Sequence, residues 1–159
     1  MPVHKPALDP RTLEPKSRSG YPPPYAARVL PRAVRALGDA LGLTRIGVNL
    51  ATLLPGKESS MRHWHTHEDE FVYMLEGELM LRTNQGEQRL SPGMCAGFAA
   101  GSDDGHQLVN RSGAAAVYLV VSNRNRAEDV GHYSDADVDM VWNPPGARGR
   151  FTRRDGTPI

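Results

Sequence analysis

The stretch His63-Trp64-His65-Thr66-His67-Glu68-Asp69-Glu70 decides how this 159-residue chain is read. Three of the six histidines fall inside it, followed at once by carboxylates. Imidazole and carboxylate together are ligands for divalent first-row metals. In a strand alternate residues share a face, so His63 and His65 point one way with Met61, and Trp64 points the other. Glu70 opens the next strand after a turn at 66–69. Its face is continued by Val72 and Met74, and the opposite face holds Phe71, Tyr73 and Leu75. Both faces are apolar, so the strand is expected to be covered on both sides, by a barrel interior on one and by an N-terminal arm or a second subunit on the other.

Outward from this stretch the pattern stays β. Short apolar runs alternate with turn signals about every ten residues, the rhythm of a sandwich or barrel. The expected strands are 43–54, 61–65, 69–76, 78–83, 87–91, 94–98, 106–111 and 115–122. Turns fall at Pro55-Gly56, Glu76-Gly77, Asn84 to Gly86, Pro92-Gly93, Gly101 to Gly105 and Ser112-Gly113. No long helix separates the strands, which favours antiparallel connections. Val34 to Gly42 fits either a short helix weakened by Gly38 or a strand ending in a Gly-Asp turn.

Upstream, eight of the thirteen prolines lie in residues 2–31. Residues 1–33 therefore read as an extended proline-rich arm lying on a surface, with residues 34–122 as the barrel. Residues 123–159 form a polar tail, with a hairpin suggested by Val141-Trp142 and Gly149 to Thr152 around Asn143-Pro144-Pro145-Gly146.

The spacing His63-x-His65, four residues, Glu70, six residues, Gly77 resembles the first sequence motif of the cupins, with Gly56 close to the place of the glycine that usually precedes it. His106 and Asn110, with Gly86, Pro92 and Gly101 upstream, resemble the second motif. Ala99 stands where a proline is common, and residues 102–105 put four positions between Gly101 and His106 where two are usual. The resemblance covers about residues 43–122, and the stretch from Arg35 to the Phe151–Gly156 tail resembles a group of small bacterial single-domain cupins. It implies an all-β, double-stranded β-helix (jelly-roll-like) barrel. Carried over position by position, it implies one divalent metal (Fe, Mn, Ni, Co or Zn) per chain on His63, His65, Glu70 and His106. Such a set leaves open positions on an octahedral ion for a substrate or dioxygen. His67 is the competing ligand if the strand slips by two residues. His4 and His132 read as surface residues, Glu68 and Asp69 as solvated turn residues, and Arg124 and Arg126 as solvent-facing. Cys95 reads as a buried inert thiol, and Trp64 and Tyr73 as packing on the outer face.

Lys plus Arg number 19 against 18 Asp plus Glu, so charge gives no reason to expect nucleic acid or an acidic membrane as partner. No run approaches the ~20 apolar residues of a membrane span. Met1 to Pro6 lacks a signal-peptide core, and a lone cysteine gives no reason for an oxidising compartment, so the expectation is cytoplasmic. The functional expectation is a metal-dependent enzyme on a small organic molecule, of dioxygenase, isomerase, decarboxylase or lyase type. The alternative is a non-catalytic small-molecule or metal sensor. The proline-rich N-terminus cannot form the helix-turn-helix that commonly precedes cupin sensors. Met61, Val72, Met74 and Leu108 are expected to line the cavity, and an apolar lining suits an aromatic or lipophilic substrate better than a free sugar. A homodimer through the outer sheet faces, with the arm laid over a barrel, is expected from the apolar set at Phe71, Tyr73 and Leu75.

Overall fold

The structure, a computed structural model, describes residues 6–159, so His4 lies outside the described residues. The strands in chain order are β1 (Ala33–Ala36), β2 (Ile46–Leu53), β3 (His63–His65), β4 (Glu70–Glu76), β5 (Leu79–Thr83) and β6 (Gly86–Leu90). They continue with β7 (Cys95–Phe98), β8 (Gln107–Val109), β9 (Ala116–Asn123), β10 (Gly131–Tyr133), β11 (Val141–Trp142) and β12 (Phe151–Thr152). Single helical turns α1 (Ala26–Val29) and α2 (Leu37–Ala40) flank β1, so Val34 to Gly42 is both of the forms its sequence allowed, strand and then one turn. Among the described residues no helix is long and apolar enough to cross a membrane.

The strands form the expected all-β, double-stranded β-helix barrel. One wall is a five-stranded sheet ordered β1-β2-β9-β4-β7. Facing it are β6-β5-β8 and β12-β11-β10-β3, joined through a backbone bridge between His63 and His106. Among the described residues every strand pairing is antiparallel, as short connections require. Register fixes the faces. Glu70 sits opposite Ser122 and Phe98, Val72 opposite Val120 and Ala96, and Met74 opposite Tyr118, so these residues look inward. Phe71, Tyr73 and Leu75 look outward and remain 41%, 38% and 40% exposed.

The same alternation corrects the reading of Cys95. It pairs with Tyr73, shares its outward face and is exposed, while Ala96 and Phe98 turn inward. Apolar neighbours on both sides had concealed which face was which.

Two apolar clusters hold the fold. Leu53, Met74, Leu79, Leu81, Leu90, Leu108 and Ala116 fill the closed end of the barrel. Burying each large side chain there is worth about 1.5–3 kcal/mol. The second cluster is built by segments that the sequence left outside the core. Val29, Met61, Tyr133, Val138 and Met140 are buried together, with Tyr21, Tyr25, Leu30, Trp142 and Phe151 against them. The arm thus contributes core residues and does not merely lie on a surface. It is pinned by reciprocal backbone bonds between Lys16 and Val34 and by an Arg28–Glu58 pair at 2.8 Å. It does not cover Phe71, Tyr73 and Leu75, which stay exposed. In the tail β11 pairs with β12, and β10 pairs with β3 so that His63 faces Tyr133 and His65 faces Gly131. The half-buried Arg62–Asp135 pair at 2.8 Å fastens the tail to the segment carrying the histidines.

Candidate metal centre

The turn after β3 brings Glu70 beside the two strand histidines, and the bridge between β3 and the start of β8 brings His106. The bridge is reciprocal: His63 N–H donates to the His106 carbonyl at 3.1 Å, and His106 N–H donates to the His63 carbonyl at 2.8 Å. Gly105 makes this approach feasible, because a Cβ there would lie 2.9 Å from the Ser134 Cβ. Asn110 is fully buried and closes the β8–β9 turn. Its amide donates to the Leu53 and Ala114 carbonyls at 2.8 Å each, and its Oδ1 accepts from Ser112.

His63, Glu70 and His106 form one donor group, with ligand atoms all within 4.8 Å of one another. His106 Nε2 donates to Glu70 Oε2 at 2.7 Å, and His63 Nε2 lies 3.9 Å from the same oxygen. His65 is adjacent, its ring edge-on to His63 with centroids 4.9 Å apart, but its Nδ1 is turned to Asp129. It therefore belongs to a second group with Glu68 and Asp129. His67 is exposed and belongs to neither group.

The outer hydrogen bonds set which nitrogen is free. His63 Nδ1–H donates to the Met61 carbonyl at 2.9 Å, and His65 Nδ1–H donates to Asp129 Oδ2 at 2.6 Å. Both leave Nε2 as the unprotonated ligand nitrogen, the tautomer that a carbonyl or carboxylate behind an imidazole enforces. Asp129 is the hydrogen-bond partner of His65 that the sequence reading missed. It lies 64 positions from His65, and its other oxygen accepts the backbone N–H of His67 at 2.8 Å and of Glu68 at 3.2 Å, holding the turn between the ligand strands. Nothing in the linear sequence marks it. Glu68 is also not a free turn residue, since its Oε1 accepts the Asn125 N–H at 2.8 Å. Asp69 is exposed between β3 and β4, as expected of a solvated turn residue, and its Oδ1 accepts the Ala100 N–H at 2.8 Å. Arg124, expected in solvent, is partly buried and paired with Asp39. His132 stacks on Trp64 at 4.2 Å, on the face opposite His63 and His65.

These residues fit a divalent cation. Burial would raise the Glu70 carboxyl, but the His106 hydrogen bond and the charges of His63, His106 and His65 pull it down to about 2. Burial and the neighbouring His106 push His63 down to about 4, leaving it neutral at pH 7. Among the described residues no Lys or Arg pairs with Glu70. His106 Nδ1 is buried without a partner. A buried carboxylate among imidazoles, with no fixed cation to balance it, is a donor set that a divalent ion completes.

The shifts carry a pH prediction for chelator-treated protein. His63 is depressed from 6.5 to about 4, so the unfolded chain binds its proton first. Stability is therefore lost as pH falls from 6.5 towards 4, by up to about 3 kcal/mol. Glu70 has the same sign in a lower window, its contribution disappearing between its usual 4.5 and about 2. His65 is raised, because the Asp129 hydrogen bond and charge outweigh burial, and so opposes the His63 trend near neutrality. Urea midpoints should drop steadily from pH 6.5 to 4; a flat profile would show that His63 is not held neutral.

The donor group lies on the wall of a cavity of about 900 Å³. Val72 and Leu108 line it as expected, but Met61 and Met74 do not; both are packed at 0% exposure in the two cores. The lining is also more polar than expected, with Asn49, Ser59, Ser60, Tyr118, Arg32 and Arg150 facing the space. The arm at Ser19–Pro22 and the tail at Gly149–Phe151 border it.

Comparison with known proteins places this arrangement. The family described as "Cupin domain" matches residues 49–122. Over 110 residues the chain is 32% identical to the tetracenomycin polyketide synthase protein TcmJ of Streptomyces glaucescens, covering 69% of this chain and 70% of that protein. The crystal structure of a cupin-superfamily sugar phosphate isomerase from Silicibacter pomeroyi DSS-3 superposes with a TM-score of 0.89 at 44% identity, over 97% of this chain and 96% of that one. The polyketide cyclase RemF of Streptomyces resistomycificus shares the fold, with a TM-score of 0.65 at 19% identity over 82% of this chain and 87% of that one. Likenesses of this extent, on a barrel carrying the His63-x-His65…Glu70…Gly77 spacing, have one meaning: the chain belongs to the cupin superfamily.

Proposed function

We propose that this cupin is a divalent-metal-dependent enzyme that isomerises a small hydroxycarbonyl compound inside its barrel. The observation that carries this reading is the placement of His63, Glu70 and His106 on the wall of a 900 Å³ cavity, a volume suited to a small organic substrate. His63, His65, Glu70 and His106 would hold the ion, and the isomerase likeness at 44% identity favours this reaction class over the others. When bound, the ion supplies Lewis acidity to a substrate oxygen.

The chain's own residues supply the rest. Asp129 and the Met61 carbonyl engage the Nδ1 atoms of His65 and His63, which leaves their Nε2 atoms free to bind the ion. Burial and the Glu70 charge raise Tyr118 above its ordinary value, so its hydroxyl stays protonated and can donate to a substrate oxygen in the cavity. Val72, Val120, Leu108 and Phe98 exclude water from one side of the space. The cytoplasm is the compartment proposed for this chemistry.

The test begins with elemental analysis of protein purified without a chelating column. It continues with deuterium exchange next to the carbonyl of aldoses, ketoses and their phosphates in D₂O. About one divalent ion per chain is expected, together with exchange that stops on chelation and returns with the metal. Bound metal with tight ligand binding but no exchange or turnover would favour the non-catalytic sensor. Absence of both metal and turnover would overturn the proposal.

The proposal includes a second copy of the chain as partner. The exposed face of Phe71 and Tyr73, with Leu75 at the bulge, continues in register across β9 into Val121 and Leu119 and across β2 into Val48 and Leu50; this centre carries no charged side chain, and Arg35 and Glu76 border it. An uncharged apolar face is its own complement across a two-fold axis. Light scattering at tens of micromolar should give twice the chain mass, and Tyr73→Glu should halve it. A monomeric wild-type protein would end this part of the proposal.

A further inference from the structure

The cavity has two chemically different ends. Across the large sheet, Val34, Ala51, Tyr118 and Met74 form one inward row. Glu70 lies four residues from Met74 along β4, roughly 13 Å away at the rise of an extended strand. Arg32 precedes Val34 by two residues, so its backbone starts beyond that row, further still from the donor group. Arg32 nevertheless lines the same cavity as His63, Glu70 and His106. Arg150, carried by the tail just before β12, lines the cavity too.

Several arginines have no carboxylate partner, but among the described residues Arg32 and Arg150 are the arginines on the cavity lining. Arg28, Arg62, Arg82, Arg89, Arg111, Arg124 and Arg153 each pair with a carboxylate. Among the described residues neither Arg32 nor Arg150 does. The Arg32 Nε donates to the Arg18 carbonyl at 3.2 Å, which fixes the stem and leaves the outer guanidinium nitrogens unengaged. Among the described residues Glu70 is the only acidic side chain on the lining, and it is already committed to the imidazoles. An arginine side chain lining an apolar and hydroxyl-bearing cavity, without a counter-charge, is a binding group for an anion.

We infer that Arg32 and Arg150 form the subsite for a phosphate monoester at the end of the substrate remote from His63, Glu70 and His106. This rests on the metal-dependent reading and narrows its substrate to a phosphorylated hydroxycarbonyl compound. A phosphate is the anion chosen because its three terminal oxygens and double charge match two guanidinium forks arriving from separate segments. Ser59, Ser60, Asn49 and Tyr118 then lie between the two ends, where hydroxyls of a short carbon chain need partners.

The test is calorimetric binding of ribose 5-phosphate, ribose and ribonate to the full chain as purified, with metal content measured on the same samples. Ribose 5-phosphate should bind at least tenfold more tightly than ribose, and ribonate no better than ribose. Arg32→Ala should weaken ribose 5-phosphate at least tenfold and leave ribose unchanged, with Arg32→Lys intermediate. Arg150 is exposed, so Arg150→Ala should fold normally; it should weaken the phosphate ligand severalfold, and it carries the test if Arg32→Ala fails to fold. No preference for the phosphate, a stronger preference for ribonate, or a preference unchanged in both folded alanine variants overturns the inference. A metal-free wild type that still shows the phosphate preference would count against the metal reading alone and leave the subsite standing.

Discussion

His106→Ala is expected to abolish metal retention while leaving the barrel folded. Structural zinc sites bind with roughly 10–16 kcal/mol, so one of four ligands is worth about 3 kcal/mol, or on the order of 100-fold in affinity. Dialysis against a competing chelator that the parent protein withstands should then empty the site of the variant. The fold has less at stake. The bridge to His63 uses the backbone of residue 106, which alanine retains. The losses are the stacking of the imidazole on Phe98, at 3.6 Å and 3°, and the 2.7 Å partner of Glu70. Together these cost about 1–3 kcal/mol. The two apolar clusters contain neither residue 106 nor Glu70. Elemental analysis should therefore read near zero beside an unchanged circular dichroism spectrum, and His67→Ala should keep its metal. Metal loss in His67→Ala with retention in His106→Ala would mean that the register places the wrong histidine at the site. An unfolded His106→Ala would make the ion a structural element.

What the sequence reveals here depends on how local the signal is. Strands β4, β5 and β9 are legible because each is at least five residues long and alternates, and β4 starts at the same Glu70 that the motif marks. Strand β10 is only three residues, too short for any period to show, yet it forms the partner of the His63–His65 strand. Asp129 orients His65 from 64 positions away, a distance at which spacing carries no information. The arm defeated periodicity in a different manner. Its prolines interrupt any regular element, so the burial of Val29 and the packing of Tyr21 and Tyr25 against Tyr133 and Met140 follow from the folded path alone. Alternation also says which residues share a face but not how deep they lie. Val72 and Met74 both point inward, yet the first lines the cavity and the second is sealed in the core. For the same reason the outward position of Cys95 was illegible, since its strand is apolar on both sides.

Gly77→Ala should be among the most destabilising substitutions of a single methyl group in the chain. Gly77 makes the turn from β4 to β5 at φ +74°, a left-handed conformation that an L side chain enters at a cost of about 1–2 kcal/mol. Space is a second, larger objection. A Cβ at residue 77 would stand 2.7 Å from the Ala115 carbonyl oxygen and 2.8 Å from the Ala116 Cα. Both are backbone atoms at the entry to β9, and Ala116 is fully buried, so no rotamer change can relieve the contact. Forcing the strands apart adds about 1–3 kcal/mol, as overpacking does elsewhere. The total is about 2–5 kcal/mol, or roughly 4–20 °C in melting temperature for a domain of this size. Gly56→Ala separates the two causes. Gly56 has a matching φ of +76°, but nothing lies within 4 Å of its would-be Cβ. It should show the conformational cost alone, roughly 2–8 °C. Melting both variants beside the parent protein tests the argument, and equal losses would show that the β4–β9 contact yields more readily than its backbone atoms allow.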